Sequence, residues 1–288
     1  MDAEELVWLV QTPSSSAHVW RDILAQACLA RGWDFAVHDQ GHPLPAPASG
    51  RSLLVVASFD ELESPHITHR AVQLSPPLEA VSVLKSQGGL NDHDAFYAAS
   101  ARLAAAWELV ERGAPVSWSD EPELEIAGLG KVAGPVAQSS SYAPRTDHPL
   151  FMFERGSAAG VGATRWNPDL FLYPDARPSV GAVGSFPLVG RRRLLLNGPN
   201  IFLPAGSWSF VAEISIDPPG KTELLIEWGH GHDVASLLTP IDVAGRYELS
   251  LEKQWTAFQP ADFRISLMIP ALEGEFCFHG GMLTRTFG

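Results

Sequence analysis

The sequence has few basic residues and few cysteines, and each shortage argues against a class of protein. Its 20 lysine and arginine residues stand against 33 aspartate and glutamate residues, a formal net charge of -13 at pH 7. Because attraction to phosphate dominates nucleic-acid affinity, this charge argues against nucleic acid and anionic membranes as partners. Cys28 and Cys277 are the only cysteines, and two such distant residues form neither a disulfide framework nor a metal-binding spacing. We expect both to behave as small buried hydrophobes.

Long apolar runs are also missing. No segment approaches the roughly 20 apolar residues of a membrane span. The first residues, MDAEELVWLVQ, carry acids where a secretory signal carries basic residues. The expected location is therefore the cytoplasm.

What the sequence does contain is enough apolar material for a sizeable core. With 288 residues, 45% of them hydrophobic, the chain is long enough for two ordinary domains. Composition shifts predict a small α/β domain over 1–130, a loop-rich segment over 131–190 and a β-sandwich over 191–288. No internal repeat is apparent.

The first third alternates strand-like and helix-like segments. LVWLVQ, WDFAVHD, SLLVVASF and AVQLS have the pattern of strands, and AHVWRDILAQACLARG has apolar residues at helical spacing. A long helix is predicted from Asp92 or Asp94 to Gly113. Strands that alternate with helices in this way predict a small parallel sheet.

The middle of the chain, between about Gly130 and Gly190, is rich in glycine, proline and serine. It nevertheless contains too many aromatic residues for a free linker, among them Phe151, Phe153, Trp166, Phe171 and Tyr173. We expect an ordered segment that wraps the second domain and contributes a short strand or two. The alternative is a hinge.

From Arg191 onward, short β-rich runs alternate with glycine and proline turns. In SWSFVAEISI, TELLIEW and DFRISLMI, apolar and polar residues alternate strictly, as in strands with one covered face. Several such strands predict an antiparallel β-sandwich of the jelly-roll type.

The C-terminal third also resembles a known group of domains. The residues that carry the likeness are Gly198-Pro199, Leu203-Pro204-Ala205-Gly206 with Trp208, and Glu275-Phe276-x-Phe278-His279-Gly280. This segment is similar to β-sandwich modules appended to bacterial glycosyltransferases and other surface-polysaccharide proteins. The resemblance implies a polysaccharide context, and it transfers no catalytic residue.

The turn after the first strand suggests an anion or sugar-nucleotide site. Ser14, Ser15 and Ser16 precede a helix, whose N-terminal N–H groups and dipole favour anions. The glycine pattern that lets a backbone approach a pyrophosphate is missing, and ordinary serine capping accounts for the same residues. The single Asp-x-Asp match, Asp92-His93-Asp94, precedes a helix and does not stand at a strand end.

Histidines and tryptophans supply the remaining candidates. His230, His232 and Asp233 follow a strand, but they would leave a zinc site one protein ligand short, so the sequence predicts no metal and no cofactor. Trp166 and Trp255 lie outside the apolar alternation and are the best candidates for a ring that stacks on a sugar. Packing beneath a loop is the alternative for both.

These observations favour a non-catalytic accessory protein of bacterial surface-polysaccharide biology that binds a glycan or another protein. One alternative is an enzyme that transfers or processes a sugar through the α/β domain. Another is a purely structural protein that builds an assembly, with a homo-oligomer as one form. A glycan or a sugar nucleotide is the expected ligand.

Overall fold

The computed structural model describes residues 5–38, 50–57, 67–135, 148–156, 163–174, 184–218 and 220–286. Its internal contacts divide the chain into two compact units, Met1–Pro144 and Arg145–Gly288. None of the α-helices in these ranges combines the length and the apolarity that a bilayer span requires.

The described part of the first unit contains seven strands and three α-helices. In chain order they are β1 (Glu5–Gln11), α1 (Ala17–Ala30), β2 (Asp34–His38), β3 (Arg51–Val56), β4 (His69–Leu74), α2 (Pro77–Gly88), α3 (Asp92–Glu111), β5 (Val116–Trp118), β6 (Glu123–Ile126) and β7 (Gly130–Ala133). Five strands form a parallel sheet in the order β2-β3-β1-β4-β5, and β6 pairs with β7 in an antiparallel ribbon.

Strand β1 lies in the middle of the parallel sheet and is buried on both faces. Val7 to Val10 are at most 3% exposed, which explains the continuous apolar run of a strand covered on each side. Helix α1 buries Trp20, Leu24 and Cys28, spaced four apart on one helix face. The long predicted helix is found as α3, whose first turn is capped by Asn91.

Nine strands occur among the residues of the second unit that the structure describes. They are β8 (Thr164–Trp166), β9 (Ser185–Pro187), β10 (Arg193–Leu203), β11 (Gly206–Asp217), β12 (Thr222–His230), β13 (Asp233–Ile241), β14 (Gly245–Trp255), β15 (Gln259–Leu267) and β16 (Glu275–Thr286). One sheet has the order β10-β15-β12-β13 and the other β14-β11-β16-β8, with β9 also paired to β16. Each of these pairings is antiparallel.

The core of the sandwich consists of aromatic side chains from both sheets. Phe210 of β11 lies 4.7 Å from Phe263 of β15 and 6.0 Å from Trp228 of β12, measured between ring centroids. Phe263 also stacks on Phe278 of β16 at 6.2 Å. The predicted fold class, a small parallel α/β domain followed by an antiparallel β-sandwich, is confirmed.

The middle segment contributes to each unit. Strand β7 pairs with β6 in the first unit, whereas β8 and β9 add to β16 in the second. Phe153 and Phe171 are buried, and the Phe171 ring meets Phe278 edge to face at 4.8 Å. The predicted limits 1–130, 131–190 and 191–288 stay predictions.

Candidate functional site

The outer face of the five-stranded sandwich sheet is rich in polar residues. Alternation along β11 turns Trp208, Phe210 and Ile214 inward and leaves the residues between them outward. Cross-strand pairing places polar residues of the neighbouring strands beside these outward positions. The outward residues include Ser207, Ser209, Glu213, Ser215, Arg246, Glu248, Glu252, Gln254, Cys277, Thr284 and Arg165.

Glu213 lies between two arginines near the middle of this face. Its Oε2 accepts a hydrogen bond from Arg246 Nη2 at 2.7 Å and lies 3.9 Å from Arg165 Nη2. The hydrogen bond from Arg246 is the main cause that lowers the pKa of Glu213, and the charges of Arg246, Arg165 and His279 act in the same direction. Glu213 is therefore a fixed anion at neutral pH.

His279 lies beside this ion pair and contacts Ser215, Cys277 and Arg165. Its Nε2 lies 2.7 Å from Ser215 Oγ, and its Nδ1 lies 3.8 Å from Cys277 Sγ. Its carbonyl oxygen accepts a hydrogen bond from Arg165 at 2.9 Å. We call Arg165, Glu213, Ser215, Arg246, Cys277 and His279 together the Glu213 cluster.

The Cys277 thiol is near a histidine, as in thiol-dependent enzymes, but its surroundings oppose ionisation. Burial raises the pKa of Cys277, and a hydrogen bond with Ser185 lowers it by less. The thiolate is the reactive form of cysteine, so a raised pKa leaves a weak nucleophile. The Glu213 cluster has the properties of a hydrogen-bonding surface more than those of a nucleophilic site.

The two tryptophans predicted as sugar platforms are both buried. Trp166 is fully buried and tilts against Phe210 at 5.3 Å, while Trp255 is 2% exposed and meets Trp228 edge to face at 6.0 Å. A sugar stacks only on an exposed ring face, so neither ring offers a platform in this structure. Because strand β8 adds to the sheet edge, Trp166 becomes part of the core, and Arg165 beside it becomes the outward residue.

The three serines of the predicted anion site have different partners. Ser15 N and Oγ both donate to the Glu79 carboxylate, at 2.8 and 2.6 Å, and Ser16 Oγ donates to the Ser119 carbonyl at 3.2 Å. Ser14 is 3% exposed and lines a cavity of about 180 Å³ in the first unit. Ser16 is the N-cap residue of α1, but no side-chain capping bond forms there.

The histidine pair lies in the hairpin between β12 and β13. His230 and His232 are exposed, and Asp233 forms an ion pair with Lys253 at 2.6 Å. Asp233 is thus already neutralised by a cation. No group of three or more metal-binding side chains occurs among the residues that the structure describes.

Sequence analysis did not propose Glu213, Arg165, Arg246 or His279 as site residues. Alternation along β11 was enough to turn Glu213 outward. The partners lie on β8, β14 and β16, so the register of three strand pairings was needed to bring them together. That information is not local in the sequence.

Comparisons with known proteins find distant structural similarity. No family model and no curated protein matches the chain. Solved structures similar to it include the carbohydrate-binding module CBM4, with 12% identity over 41% of this chain and 96% of that one at a TM-score of 0.29. TmCBM61, in complex with beta-1,4-galactotriose, is 9% identical over 35% of this chain and 69% of that one, at a TM-score of 0.28.

A third similar structure is the Glycosylation Associate Protein (Gap123) complex from Streptococcus agalactiae. The identity is 12%, the TM-score is 0.30, and the match covers 88% of this chain and 49% of that chain. This chain therefore spans about half the length of the chain it matches there. The solved structures similar to this protein thus include carbohydrate-binding modules and a glycosylation-associated complex, while the fold assignment rests on the strand topology itself.

Proposed function

We propose that the protein is a carbohydrate-binding accessory protein and that the Glu213 cluster is its glycan site. The observation that carries this proposal is an open, polar sheet face whose central carboxylate is fixed between two arginines. Side chains already held in place lose less conformational freedom when a ligand binds.

The Glu213 cluster has the donors and acceptors that sugar hydroxyls require. A carboxylate only accepts hydrogen bonds, a guanidinium only donates them, and a neutral imidazole does one of each. Arg246 and Arg165 have 65% and 42% of their side-chain surface exposed, and Glu213 has 26%. Their remaining hydrogen-bonding capacity is accessible to a ligand in solution.

The face is better suited to a hydrophilic ligand than to a protein partner. Protein interfaces have an apolar core, whereas the apolar side chains on this face, Val211 and Met282, are both only partly exposed. The large exposed hydrophobic residues of the described ranges, such as Leu238 and Leu272, lie elsewhere.

The chemistry of the cluster favours binding over hydrolysis. A glycosidase acid needs a raised pKa so that it holds a proton at neutral pH, and the pKa of Glu213 is lowered. We propose a role in bacterial surface-polysaccharide biology because of the sequence resemblance of the C-terminal third. A cytoplasmic location stays a prediction.

The proposal is tested with the full chain on a glycan array, followed by calorimetry with the glycans that bind. Glu213→Gln keeps the shape and removes the charge, and we expect about 10-fold weaker binding or more, since a hydrogen bond to a charged group contributes roughly 1.5–3 kcal/mol. Glu223→Gln is the matched control, because Glu223 lies on an outward position of the other sheet. We expect its affinity to match that of the unmodified protein.

Cysteine labelling gives a second readout of the same site. Cys277 lies in the cluster and is partly exposed, while Cys28 is buried with its pKa raised by burial to about 11. A bound glycan should slow alkylation of Cys277, with the unreactive Cys28 as the internal reference. The proposal is overturned if no glycan binds, or if a binding glycan leaves the labelling rate and the Glu213→Gln affinity unchanged.

Self-assembly is a second candidate function, and the outer face of the four-stranded sandwich sheet, β10-β15-β12-β13, favours it. Leu225 pairs with Leu238 across β12 and β13, and Leu238 is 54% exposed on an edge strand. Exposed apolar edge strands tend to pair with a second copy. Sedimentation that shows a dimer broken by Leu238→Lys would support assembly, and a monomer at every concentration would exclude it.

A further inference from the structure

The first unit contains a polar crevice separate from the Glu213 cluster. It lies where β1 ends and α1 begins, and its volume is about 180 Å³. Thr12 and Ser14 follow β1, His18 and Arg21 stand on the first two turns of α1, and Arg102 reaches it from α3. In open parallel sheets, ligands bind beyond the carboxyl ends of the strands.

The charge of this crevice is opposite to that of the whole protein. Arg21 and Arg102 both line it, and none of the lining residues that the structure describes is an aspartate or a glutamate. The chain as a whole carries a net charge of -13. Two arginines, with no carboxylate among the described lining residues, therefore form a local positive site in an acidic protein, as expected for an anion-binding concavity.

Arg21 is held in place by neutral groups. Its Nε donates to Gln11 Oε1 at 2.9 Å, and Gln11 Nε2 donates to Gln73 Oε1 at 2.8 Å. Within the described ranges, its terminal nitrogens have no hydrogen-bond or ion-pair partner. They are the atoms with which a guanidinium binds an oxyanion in a two-pronged manner.

Arg102, the second arginine that lines the crevice, is partly buried. Burial lowers the pKa of Arg102, and no carboxylate in the described part of the chain forms an ion pair with it. Removing a charge from water without a partner is unfavourable. A bound anion would offset this cost.

The beginning of α1 adds weaker attraction of the same sign. Ser16 makes no side-chain capping bond. The Ala17 N–H donates to the Ser14 carbonyl, but the next N–H groups of the first turn, those of His18 and Val19, precede the first intrahelical bond and, with the helix dipole, favour an anion. Gln87 and Gly88, in the last turn of α2, also line the crevice. The partial negative charge of that helix end, about half an elementary charge, does not offset two arginines.

We infer that this crevice binds the phosphate group of a small phosphorylated molecule, held between Arg21 and Arg102 beside the first turn of α1. Two guanidinium groups from different helices match a tetrahedral, doubly charged phosphate better than a singly charged carboxylate. The volume equals that of about six water molecules at roughly 30 Å³ each. That is enough for free phosphate or a small phosphomonoester, and less than the roughly 300 Å³ or more of pockets for drug-sized ligands.

The test is a titration of the full chain at low salt with inorganic phosphate, glucose 1-phosphate and acetate. Binding of each compound is measured by calorimetry. We expect saturable binding of at least one phosphate compound and much weaker binding of acetate. Arg21→Gln and Arg102→Met should each weaken phosphate binding about 10-fold or more. Arg31→Gln is the matched control, because Arg31 is an exposed arginine at the other end of α1.

A second readout separates a binding role from a structural one. Without phosphate, Arg102→Met should leave the melting temperature unchanged or raise it, because a desolvated charge is removed. Phosphate should raise the melting temperature of the unmodified protein but not that of Arg102→Met. If Arg102→Met does not fold, Arg21→Gln alone decides the question.

Each outcome of the titration has one meaning. Tighter binding of glucose 1-phosphate than of phosphate identifies a phosphorylated sugar as the better ligand, and the reverse identifies free phosphate. The inference is overturned if neither compound binds up to about 10 mM, if acetate binds as well, or if both arginine variants retain full affinity. Glycan binding at the Glu213 cluster is measured separately, so either proposal can fail alone.

Discussion

The two units distribute their polar groups in different ways, and strand direction is the reason. In the parallel sheet, β1 is buried from Val7 to Val10, and polar residues stand only at its limits. Glu5 begins the strand, and Gln11 and Thr12 lie at the carboxyl edge that carries the crevice. In the sandwich, β11 alternates along its whole length, so polar side chains cover a face. A fully covered sheet therefore gathers its chemistry at one edge, whereas a half-covered sheet spreads it over a surface.

The largest effect should come from removing a tryptophan that the sequence suggested as a ligand platform. Trp255→Ala should lower the free energy of unfolding by about 3–5 kcal/mol, because Trp255 is 2% exposed and packs on Trp228. Trp20→Ala should have an effect of similar size in the first unit, where Trp20 is fully buried and its Nε1 donates to the Ser119 carbonyl at 2.9 Å. Denaturant unfolding measures both.

Leu272→Ala is the control for these tryptophan variants, since Leu272 is 92% exposed and such surface changes usually stay within about 0.5 kcal/mol. A Trp255→Ala protein as stable as the unmodified one, but deficient in glycan binding, would return Trp255 to the role of a platform. It would also show that the sandwich binds glycan at Trp255 and not at the Glu213 cluster.

A smaller effect should come from adding one methyl group inside the sandwich. A Cβ at Gly281 would collide with the Phe210 ring, which is enclosed by Trp228 and Phe263. Overpacking a core usually costs about 1–3 kcal/mol, so Gly281→Ala should lower the unfolding free energy by that amount.

Gly245→Ala is the matched control, because its added Cβ would lie 3.7 Å from Tyr247 Cε2, an ordinary contact. Both residues are on β14, in the same sheet as Gly281. If both alanine variants unfold alike, the inner face is looser than its aromatic contacts indicate. The contrast between a packed inner face and an open outer face would then weaken.

The pattern of apolar residues was sufficient to predict much of both units. Unbroken apolar runs identified β1, β3 and β4, and strict alternation identified β11, β12 and β15. Helix α2 was not predicted, because it begins at Pro77, directly after Pro76, and contains serine and glycine positions that are typical of loops. Proline is well tolerated at the first position of a helix, which is the signal that could have found it.

The candidate sites were harder to predict than the fold. Trp166 and Trp255 were the candidates for a sugar-stacking ring because they fall outside the local alternation, with packing beneath a loop as the alternative; in the structure tertiary packing covers both. Arg102 lies on a helix far in sequence from Ser14, yet both line one crevice. Such groupings depend on how strands and helices are arranged in space, and local periodicity carries no information about that.

The smallest predicted effect concerns the pH dependence of the Glu213 ion pair. Because the pKa of Glu213 is lowered in the folded protein, the pair stabilises the fold at pH values above the carboxyl pKa of the unfolded chain, about 4.3. That contribution disappears as the pH falls through the lower folded pKa. Arg246→Gln removes the main cause of the shift, so it should lower the unfolding free energy at about pH 6 and have less effect at about pH 3.

The expected size is a few tenths of a kcal/mol to about 1 kcal/mol, since partly exposed pairs contribute little. Urea unfolding of both proteins across this pH range measures the difference. Repeating it in about 1 M salt should shrink the difference at pH 6, because salt screens charges near the surface. A difference that is the same at every pH would mean that Arg246 stabilises the sheet by packing its side-chain stem, and the Glu213 carboxylate would then be free to meet a ligand without competition from that arginine.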